Sequence, residues 1–271
     1  MKYLKLLSVL LISAAFLFSC SDNPTEQEGT GTLSIQAFDA PFPGGADHIY
    51  VDIDSISVHR ATGSGEEEGE WIALEMNDQV EQPMDFLELV NGALAELVND
   101  TLQAGTYSQL RLVLGPENSI VVDGTEYDLQ APSAQTSGLK LNLNFEVAPN
   151  ELIEVYLDFD TGHSIVVQGQ GGYLLKPVFH AFKKTVTGSI AGAVTNDSDE
   201  AVENATVWFV QGEDSVSTIT GATGSYFRYL VAGTYNVTVE HPDYSAADTT
   251  YEDIEVAEGE DLTDYDFVLT P

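Results

Sequence analysis

The stretch Leu139-Lys140-Leu141-Asn142-Leu143-Asn144-Phe145-Glu146-Val147 alternates apolar and polar side chains without a break. Successive side chains of a β-strand point to opposite faces of its sheet, so a period of two indicates a strand with one buried face. A helix would instead repeat its apolar residues at intervals of three and four. The stretch therefore predicts a half-buried strand.

The same alternation predicts further strands within residues 32–37, 48–60, 107–114, 154–160 and 173–182. A change of phase at Ser55 predicts a β-bulge, and Pro177 predicts an edge strand or a bulge. Asp123-Gly124 favours a two-residue hairpin turn. Residues 85–97 differ, because their apolar residues recur at three and four and predict one or two short helical turns. We expect an antiparallel β-sandwich with a short helical insertion.

Several separated motifs in this first region resemble one bacterial family. The motifs are Gly31-Thr32-Leu33, Asp39-Ala40-Pro41, Val121-Val122-Asp123-Gly124-Thr125-Glu126-Tyr127, Leu157-Asp158-Phe159-Asp160 and Gly171-Gly172-Tyr173-Leu174-Leu175-Lys176-Pro177. They are similar to DUF4382, a family of domains found in exported lipoproteins. The resemblance runs over residues 31–183 and implies one folded domain there, but it implies no activity.

A second set of motifs follows Lys183-Lys184-Thr185. These are Gly188-Ser189-Ile190-Ala191-Gly192, Asn204-Ala205-Thr206-Val207, Gly224-Ser225-Tyr226, Ala232-Gly233-Thr234-Tyr235 and His241-Pro242-Asp243-Tyr244. In this order they resemble the carboxypeptidase regulatory-like domain, a small sandwich similar to transthyretin and to carbohydrate-binding-like folds. The resemblance implies a second β-sandwich over residues 186–271. The expected fold class is all-β, with two antiparallel sandwiches in tandem.

The N-terminus predicts where the protein is located. Lys2 and Lys5 precede an apolar segment that has the length of a signal peptide and is shorter than the roughly 20 residues of a membrane-spanning helix. The segment ends at Leu17-Phe18-Ser19-Cys20, which resembles the lipobox of bacterial lipoproteins. The resemblance implies that residues 1–19 are removed, that Cys20 is lipidated and that residues 20–30 form a flexible tether. The alternative is an ordinary secreted protein with an incidental cysteine.

That resemblance implies a membrane-anchored lipoprotein of the bacterial cell envelope, held at the outer membrane and facing either the periplasm or the outside. The several acyl chains of such a lipoprotein give a durable attachment, whereas one chain alone holds only marginally. No second run of about 20 apolar residues follows Cys20. We expect the chain to reach the membrane through its lipid alone.

The composition excludes some partners. The chain of 271 residues has 44 acidic and 9 basic residues and a net charge of -35. Such a charge repels the phosphate backbone, so we expect no nucleic acid as a partner. The acidity serves either solubility or the binding of divalent cations. Because Cys20 is the single cysteine, no disulfide can form within either domain.

No sequence pattern for catalysis is present. The five histidines His48, His59, His163, His180 and His241 are far apart and have no zinc-ligand spacing. The chain has no Gly-x-Ser-x-Gly motif and no phosphate-binding loop, and lipidation of Cys20 leaves no cysteine nucleophile. We therefore expect a protein that is not an enzyme and that needs no cofactor.

Pairs of carboxylates two residues apart are candidate calcium ligands. They are Asp52 with Asp54, Asp158 with Asp160, and Asp264 with Asp266. Two positions apart on a strand, both side chains lie on one face, where hard oxygen ligands can share a calcium ion. A solvated outer face produces the same pattern, so both interpretations stay open.

Aromatic residues are the remaining candidates for ligand contact. If Ala205, Val207 and Phe209 face the core, Trp208 faces outward and is available for stacking on a sugar. Packing of Trp208 against the neighbouring domain is the alternative. Trp71, Tyr226 and Tyr244 are weaker candidates of the same kind.

Two functional hypotheses follow from these observations. The first is a non-enzymatic binding or adhesion lipoprotein, for which carbohydrate is one candidate ligand. The second is a structural or assembly component of an envelope protein complex. A calcium-dependent binding protein is a more distant alternative.

Overall fold

The computed structural model describes residues 29–40, 42, 45–61, 69–169, 171–247 and 250–270. The signal peptide, Cys20 and almost all of the tether lie outside these residues. The described residues are mainly strands, and they enclose two separate hydrophobic cores. The predicted fold class, two all-β domains in tandem, is confirmed. No helix among the described residues is long and apolar enough to cross a membrane.

The first domain contains fourteen strands and two short helices. The strands are β1 (Thr30–Ala40), β2 (His48–Val51), β3 (Ile53–Ala61), β4 (Gly69–Ala73), β5 (Met84–Asp85), β6 (Ala95–Gln103), β7 (Gly105–Leu114), β8 (Ser119–Val122), β9 (Thr125–Asp128), β10 (Leu139–Val147), β11 (Leu152–Asp160), β12 (Ile165–Gln168), β13 (Gly172–Leu175) and β14 (Phe179–Lys183). The helices are α1 (Pro132–Thr136) and α2 (Thr161–Ser164), with 3-10 turns at Phe86–Glu88 and Lys184–Val186.

These strands form three four-stranded sheets and a hairpin. The sheet orders are β14-β11-β1-β6, β10-β7-β3-β4 and β5-β2-β8-β9, and β12 pairs with β13. Most pairings are antiparallel as expected, but β1 runs parallel to β11. The core contains fully buried residues from all three large sheets, among them Leu33, Ile49, Tyr107 and Val155.

Several local predictions are confirmed, and two are confirmed only in part. The register of β3 shifts between Ile53 and Ser55, and Asp123-Gly124 turns β8 into β9 with φ angles of 51° and 69°. The strand expected over residues 173–182 is divided into β13 and β14, both at a sheet edge, and Pro177 lies in the loop between them. Of the helical turns expected within 85–97, only the 3-10 turn at Phe86–Glu88 forms, because the residues from Ala95 onward pair with β1. Pairing within a sheet overrides a helical spacing here.

The second domain contains nine strands. They are β15 (Thr187–Asn196), β16 (Thr206–Gln211), β17 (Asp214–Ile219), β18 (Ser225–Val231), β19 (Gly233–Glu240), β20 (Ala246–Ala247), β21 (Tyr251–Val256), β22 (Asp261–Leu262) and β23 (Phe267–Thr270). One sheet has the order β18-β15-β23-β20, with β22 also on β15, and the other has the order β17-β16-β19-β21. β22 and β23 both run parallel to β15. The inner faces supply a core around Val207, Phe209 and Phe267.

The two domains meet along the edge strands β17 and β18. Tyr229 of β18 packs against Phe38 and Tyr156 of the first domain, with ring centroids 5.6 Å and 4.7 Å away. Asn91 of the first domain accepts hydrogen bonds from the hydroxyl of Thr218 and the backbone N–H of Phe227. An exposed strand edge invites pairing with other chains, so these contacts cover an edge that needs protection.

Candidate functional site

Trp71 lies on β4, an edge strand of the sheet β10-β7-β3-β4. The side chains of His59, Arg111 and Lys140 lie near its indole. The imidazole of His59 is 5.1 Å from it between ring centroids. The guanidinium carbon of Arg111 is 4.4 Å from the indole centroid, and the Nζ of Lys140 is 5.6 Å from it. Cations over a tryptophan face are attracted by the negative face of the ring.

Strand register explains this cluster. Two rows of outward side chains cross the sheet: Lys140, Arg111, Ser57 and Ala73 in one row, and Asn142, Gln109, His59 and Trp71 in the next. The residues between them, such as Val58 and Leu110, point inward and are fully buried. We call these eight outward residues the Trp71 face. It has no carboxylate, although the chain has 44 acidic residues.

Hydrogen bonds hold the polar groups of the Trp71 face in place. Arg111 Nε donates to Ser57 Oγ at 3.2 Å, and Gln109 Nε2 donates to Asn142 Oδ1 at 3.2 Å. His59 is 5% exposed, and its Nδ1 lies 3.0 Å from Ser108 Oγ. Lys140 and Asn142 are exposed to solvent. The face therefore offers positive charge, amides and a half-buried indole to a polar ligand.

Arg228 and Asp158 form a second polar cluster, at the junction of the domains. Arg228 Nη2 is 2.5 Å from Asp158 Oδ2, and both side chains are almost fully buried. The guanidinium carbon also lies 5.1 Å from the ring centroid of Phe38. Burial raises the pKa of the Asp158 carboxyl, and the charge of Arg228 opposes that rise. This pair is a contact between domains.

A groove of about 900 Å³ lies beside that pair, between the domains. Its walls include Asp160 and His163 of the first domain and Glu213 and Asp214 of the second. Lys140 and Asn142 also line it, so the groove and the Trp71 face share an edge. The groove is acidic on the side of the second domain, whereas the Trp71 face is basic.

The aromatic candidates have three different environments. Trp208 is half-buried on the outer face of β16, between the buried Val207 and Phe209, and its Nε1 donates to Glu240 Oε1 at 2.8 Å. Tyr244 is half-buried and packs edge-on to His241 at 5.2 Å between ring centroids. Trp71 is half-buried at the centre of the face described above.

The expectation for Tyr226 is corrected. Tyr226 is 2% exposed and belongs to the core of the second domain, where its hydroxyl donates to the carbonyl of Tyr265 at 2.6 Å. Burial raises the pKa of this phenol above its ordinary value. Side chains alternate between the two faces of β18, so Tyr226 points inward and the half-buried Phe227 points outward. Tyr226 is therefore a packing residue rather than a ligand contact.

In each carboxylate pair of the first domain, the two side chains have different environments. Asp158 is buried against Arg228 and is not solvated, whereas Asp160 accepts from the backbone N–H and the Nδ1 of His163. Asp52 lies between β2 and β3 and accepts from the backbone N–H of Glu117, while Asp54 is exposed. Across the described part of the chain, no group of three or more His, Cys, Asp or Glu side chains is placed to hold a metal ion.

Sequence reasoning missed Arg111, Lys140 and His59 as site residues. Alternation already indicates that Lys140 points outward, and the same reading applies to Arg111 on β7. What alternation lacks is the register between strands, which brings residues 59, 71, 111 and 140 together from four separate segments. The scarcity of basic residues in an acidic chain is the signal that would single them out.

Fold and site together define a two-domain, all-β protein whose most distinctive polar surface is a sheet face. The family model described as "Domain of unknown function (DUF4382)" matches residues 30–177, more than half of the chain. The chain belongs to this family. The carboxypeptidase regulatory-like domain matches residues 189–270, so the two modules follow in the predicted order. A comparison with curated proteins finds no match.

Similar solved structures are remote. The Bacillus anthracis TIE protein is 13% identical, with 90% of this chain and 35% of that chain covered and a TM-score of 0.28. The shaft pilin spaA from Lactobacillus rhamnosus GG is 10% identical over 90% of this chain and 98% of that chain, with a TM-score of 0.28. GBS52, the minor pilin of Streptococcus agalactiae, is 10% identical, with 90% of this chain and 97% of that chain covered and a TM-score of 0.24. TM-scores this low carry no argument about fold or function.

Proposed function

We propose that this chain is a non-enzymatic binding protein of the bacterial cell envelope, attached by a lipid on Cys20, and that it takes a carbohydrate on the Trp71 face. The observation that carries the proposal is the composition of that face. An indole, two amides and two cations lie side by side on an outer sheet surface, next to the buried imidazole of His59. Flat surfaces of aromatic and amide groups suit sugars, which have both apolar faces and hydroxyl groups.

The stability of the sheet alone does not account for this arrangement. Lys140 and Arg111 are directly opposite each other on adjacent strands, and like charges in that position are destabilising. Among the described residues, neither of the two forms an ion pair with an acid. Contact with the Trp71 ring offsets part of the cost. A ligand that needs these groups is a reason to keep them together.

The proposed anchor is compatible with the position of the first strand. β1 begins at Thr30, so about ten residues separate it from Cys20. An extended chain of that length spans up to about 35 Å. The Trp71 face would then stand clear of the lipid surface and within reach of envelope polysaccharide. We assign the outer membrane as the location on the lipobox resemblance alone.

A glycan array with the lipid-free chain from residue 21 onward tests the proposal. We expect one class of glycan to bind, and we expect Trp71→Ala to reduce that binding by tenfold or more. Trp208→Ala is the matched control, since it removes another half-buried outward indole from the second domain. Loss of binding in Trp208→Ala but not in Trp71→Ala would move the site to the second domain.

A role in assembly is a second candidate, and one surface feature favours it. Val166 and Val167 on the hairpin β12–β13 are 36% and 65% exposed, which is unusual for two adjacent apolar residues. A protein partner would cover them. If the protein extracted gently from membranes is strictly monomeric and without partners, this candidate is wrong. Val167→Lys should dissociate any complex that does form.

A further inference from the structure

We infer that the ligand of the Trp71 face is an acidic carbohydrate, a short sugar chain bearing carboxylate groups as uronic acids do. The inference rests on the proposed function and narrows its ligand class. Arg111 and Lys140 are two of the nine basic residues in the whole chain. They are opposite each other in one row of the Trp71 face, and neither row of that face includes an acid.

The guanidinium of Arg111 has hydrogen-bond donors available for a carboxylate. Its Nε donates to Ser57 Oγ, and its guanidinium carbon lies 4.4 Å from the centroid of the Trp71 ring. None of the hydrogen bonds among the described residues uses the two terminal nitrogens of Arg111. A guanidinium whose Nε is already hydrogen-bonded can still bind a carboxylate through both terminal nitrogens. Lys140 then supplies a second positive charge beside it.

The amides of the next row fit the rest of a sugar. Asn142 and Gln109 bond to each other, and each keeps donor and acceptor capacity for hydroxyl groups. Each row crosses four strands that are about 4.8 Å apart, so each row is about 14 Å long. That length suits an oligosaccharide of a few units rather than a single ion.

The net charge of the protein restricts the ligand further. A charge of -35 repels any large polyanion, including nucleic acid and an anionic membrane surface. Salt screens charges beyond about 8 Å at physiological ionic strength, so a short ligand is affected mainly by the groups near it. On the Trp71 face these are Arg111 and Lys140, and the acids of the adjoining groove limit how far the ligand can extend past Lys140. A short acidic sugar chain therefore fits better than a charged membrane.

Isothermal titration of the lipid-free chain with oligogalacturonate tests the inference. Neutral galacto-oligosaccharide, a sulfated oligosaccharide and phosphatidylglycerol vesicles serve as comparison ligands. We expect oligogalacturonate to bind, and Arg111→Gln to weaken it by about tenfold or more, as the loss of a charge-assisted hydrogen bond does. Lys140→Gln should also weaken it. Because Lys140 is exposed, that variant keeps the fold.

Lys176→Gln is the control, since it removes an equal charge from an exposed lysine on the loop after β13. It should leave the affinity unchanged. If the neutral sugar binds and Lys140→Gln leaves that binding unchanged, the inference is wrong but the proposed function stands. Preference for the sulfated sugar or for the vesicles would also overturn the inference. If no carbohydrate binds, the proposed function itself is wrong.

Discussion

His48 and Asp85 form a surface pair whose strength depends on pH. His48 Nδ1 is 2.6 Å from Asp85 Oδ2, and the imidazole stacks on Tyr50 at 5.5 Å between ring centroids. The hydrogen bond to Asp85 raises the pKa of His48 above its ordinary value of 6.5. A raised pKa in the folded state means that the pair stabilises the fold when His48 is protonated.

This predicts a pH-dependent cost for His48→Gln. The variant should lose stability below about pH 6.5, by less than about 1 kcal/mol because the histidine side chain is half-exposed. The difference from the parent should vanish as pH rises through the raised pKa of the folded state. Urea unfolding at pH 5.5 and at pH 9 measures it, and an equal loss at both values would contradict the pair's role. Replacement of Asp85 is less informative, because Asp85 also accepts from the backbone N–H of Leu87.

Tyr226 provides a prediction about the core of the second domain. Tyr226→Phe keeps the ring and removes the hydroxyl that donates to the carbonyl of Tyr265. The loss should be about 0.5–1.5 kcal/mol for the hydrogen bond. Glycan binding should not change. Chemical denaturation checks the first expectation, and a binding loss in a stably folded Tyr226→Phe would restore the residue as a ligand contact.

At the scale of a single element, the hairpin β8–β9 depends on Gly124. Its φ is 69°, in the left-handed region, and a Cβ at this position would meet no atom within 4 Å. Gly124→Ala therefore introduces backbone strain without a steric clash and should cost about 1–2 kcal/mol. Gly169→Ala is the matched control, because Gly169 is equally open but has no positive φ. A thermal melt that shows equal effects for both would refute the argument from strain.

At the scale of the whole molecule, the Arg228–Asp158 pair joins the domains. Asp158 Oδ1 and the Nε and Nη1 of Arg228 have no hydrogen-bond partner among the described residues, so the pair is incompletely satisfied. Removing one partner of a buried pair leaves an uncompensated charge and costs about 3–5 kcal/mol. Replacing both partners by apolar residues of similar volume can be neutral.

We therefore expect Arg228→Met to separate the unfolding of the two domains. Calorimetry should show one transition in the parent and two in the variant. The double variant with Asp158→Leu should recover most of the lost stability, because no charge remains buried. A single unchanged transition in Arg228→Met would show that the aromatic contacts of Tyr229 alone join the domains.

The proposed anchor also acts on the whole molecule. Cys20→Ser removes the lipidation site, so the full-length chain should move from the membrane fraction to the soluble fraction. Fractionation followed by immunodetection measures the distribution. Ser21→Ala is the control and should stay in the membrane fraction. If Cys20→Ser still sediments with membranes, the lipoprotein proposal is wrong.

Local patterns in the sequence predict the fold class and much of its local detail. Alternation along residues 139–147 predicts β10, and Asp123-Gly124 predicts the turn of a hairpin, because side-chain period and turn chemistry are properties of adjacent residues. Alternation also predicted that Val207 and Phe209 face inward around Trp208. The helical spacing within residues 85–97 was misleading from Ala95 onward, where pairing with β1 decides for a strand.

Which residues come into contact depends on how the strands and domains pack. Trp71, Arg111 and Lys140 lie on three strands, and their contact depends on the register between those strands. Arg228 meets Asp158 across 70 residues of chain and a domain boundary. Register and docking result from burying complementary faces, which no local pattern contains. The physical reason is that a strand pattern shows which face a side chain occupies, whereas packing chooses its neighbours on that face.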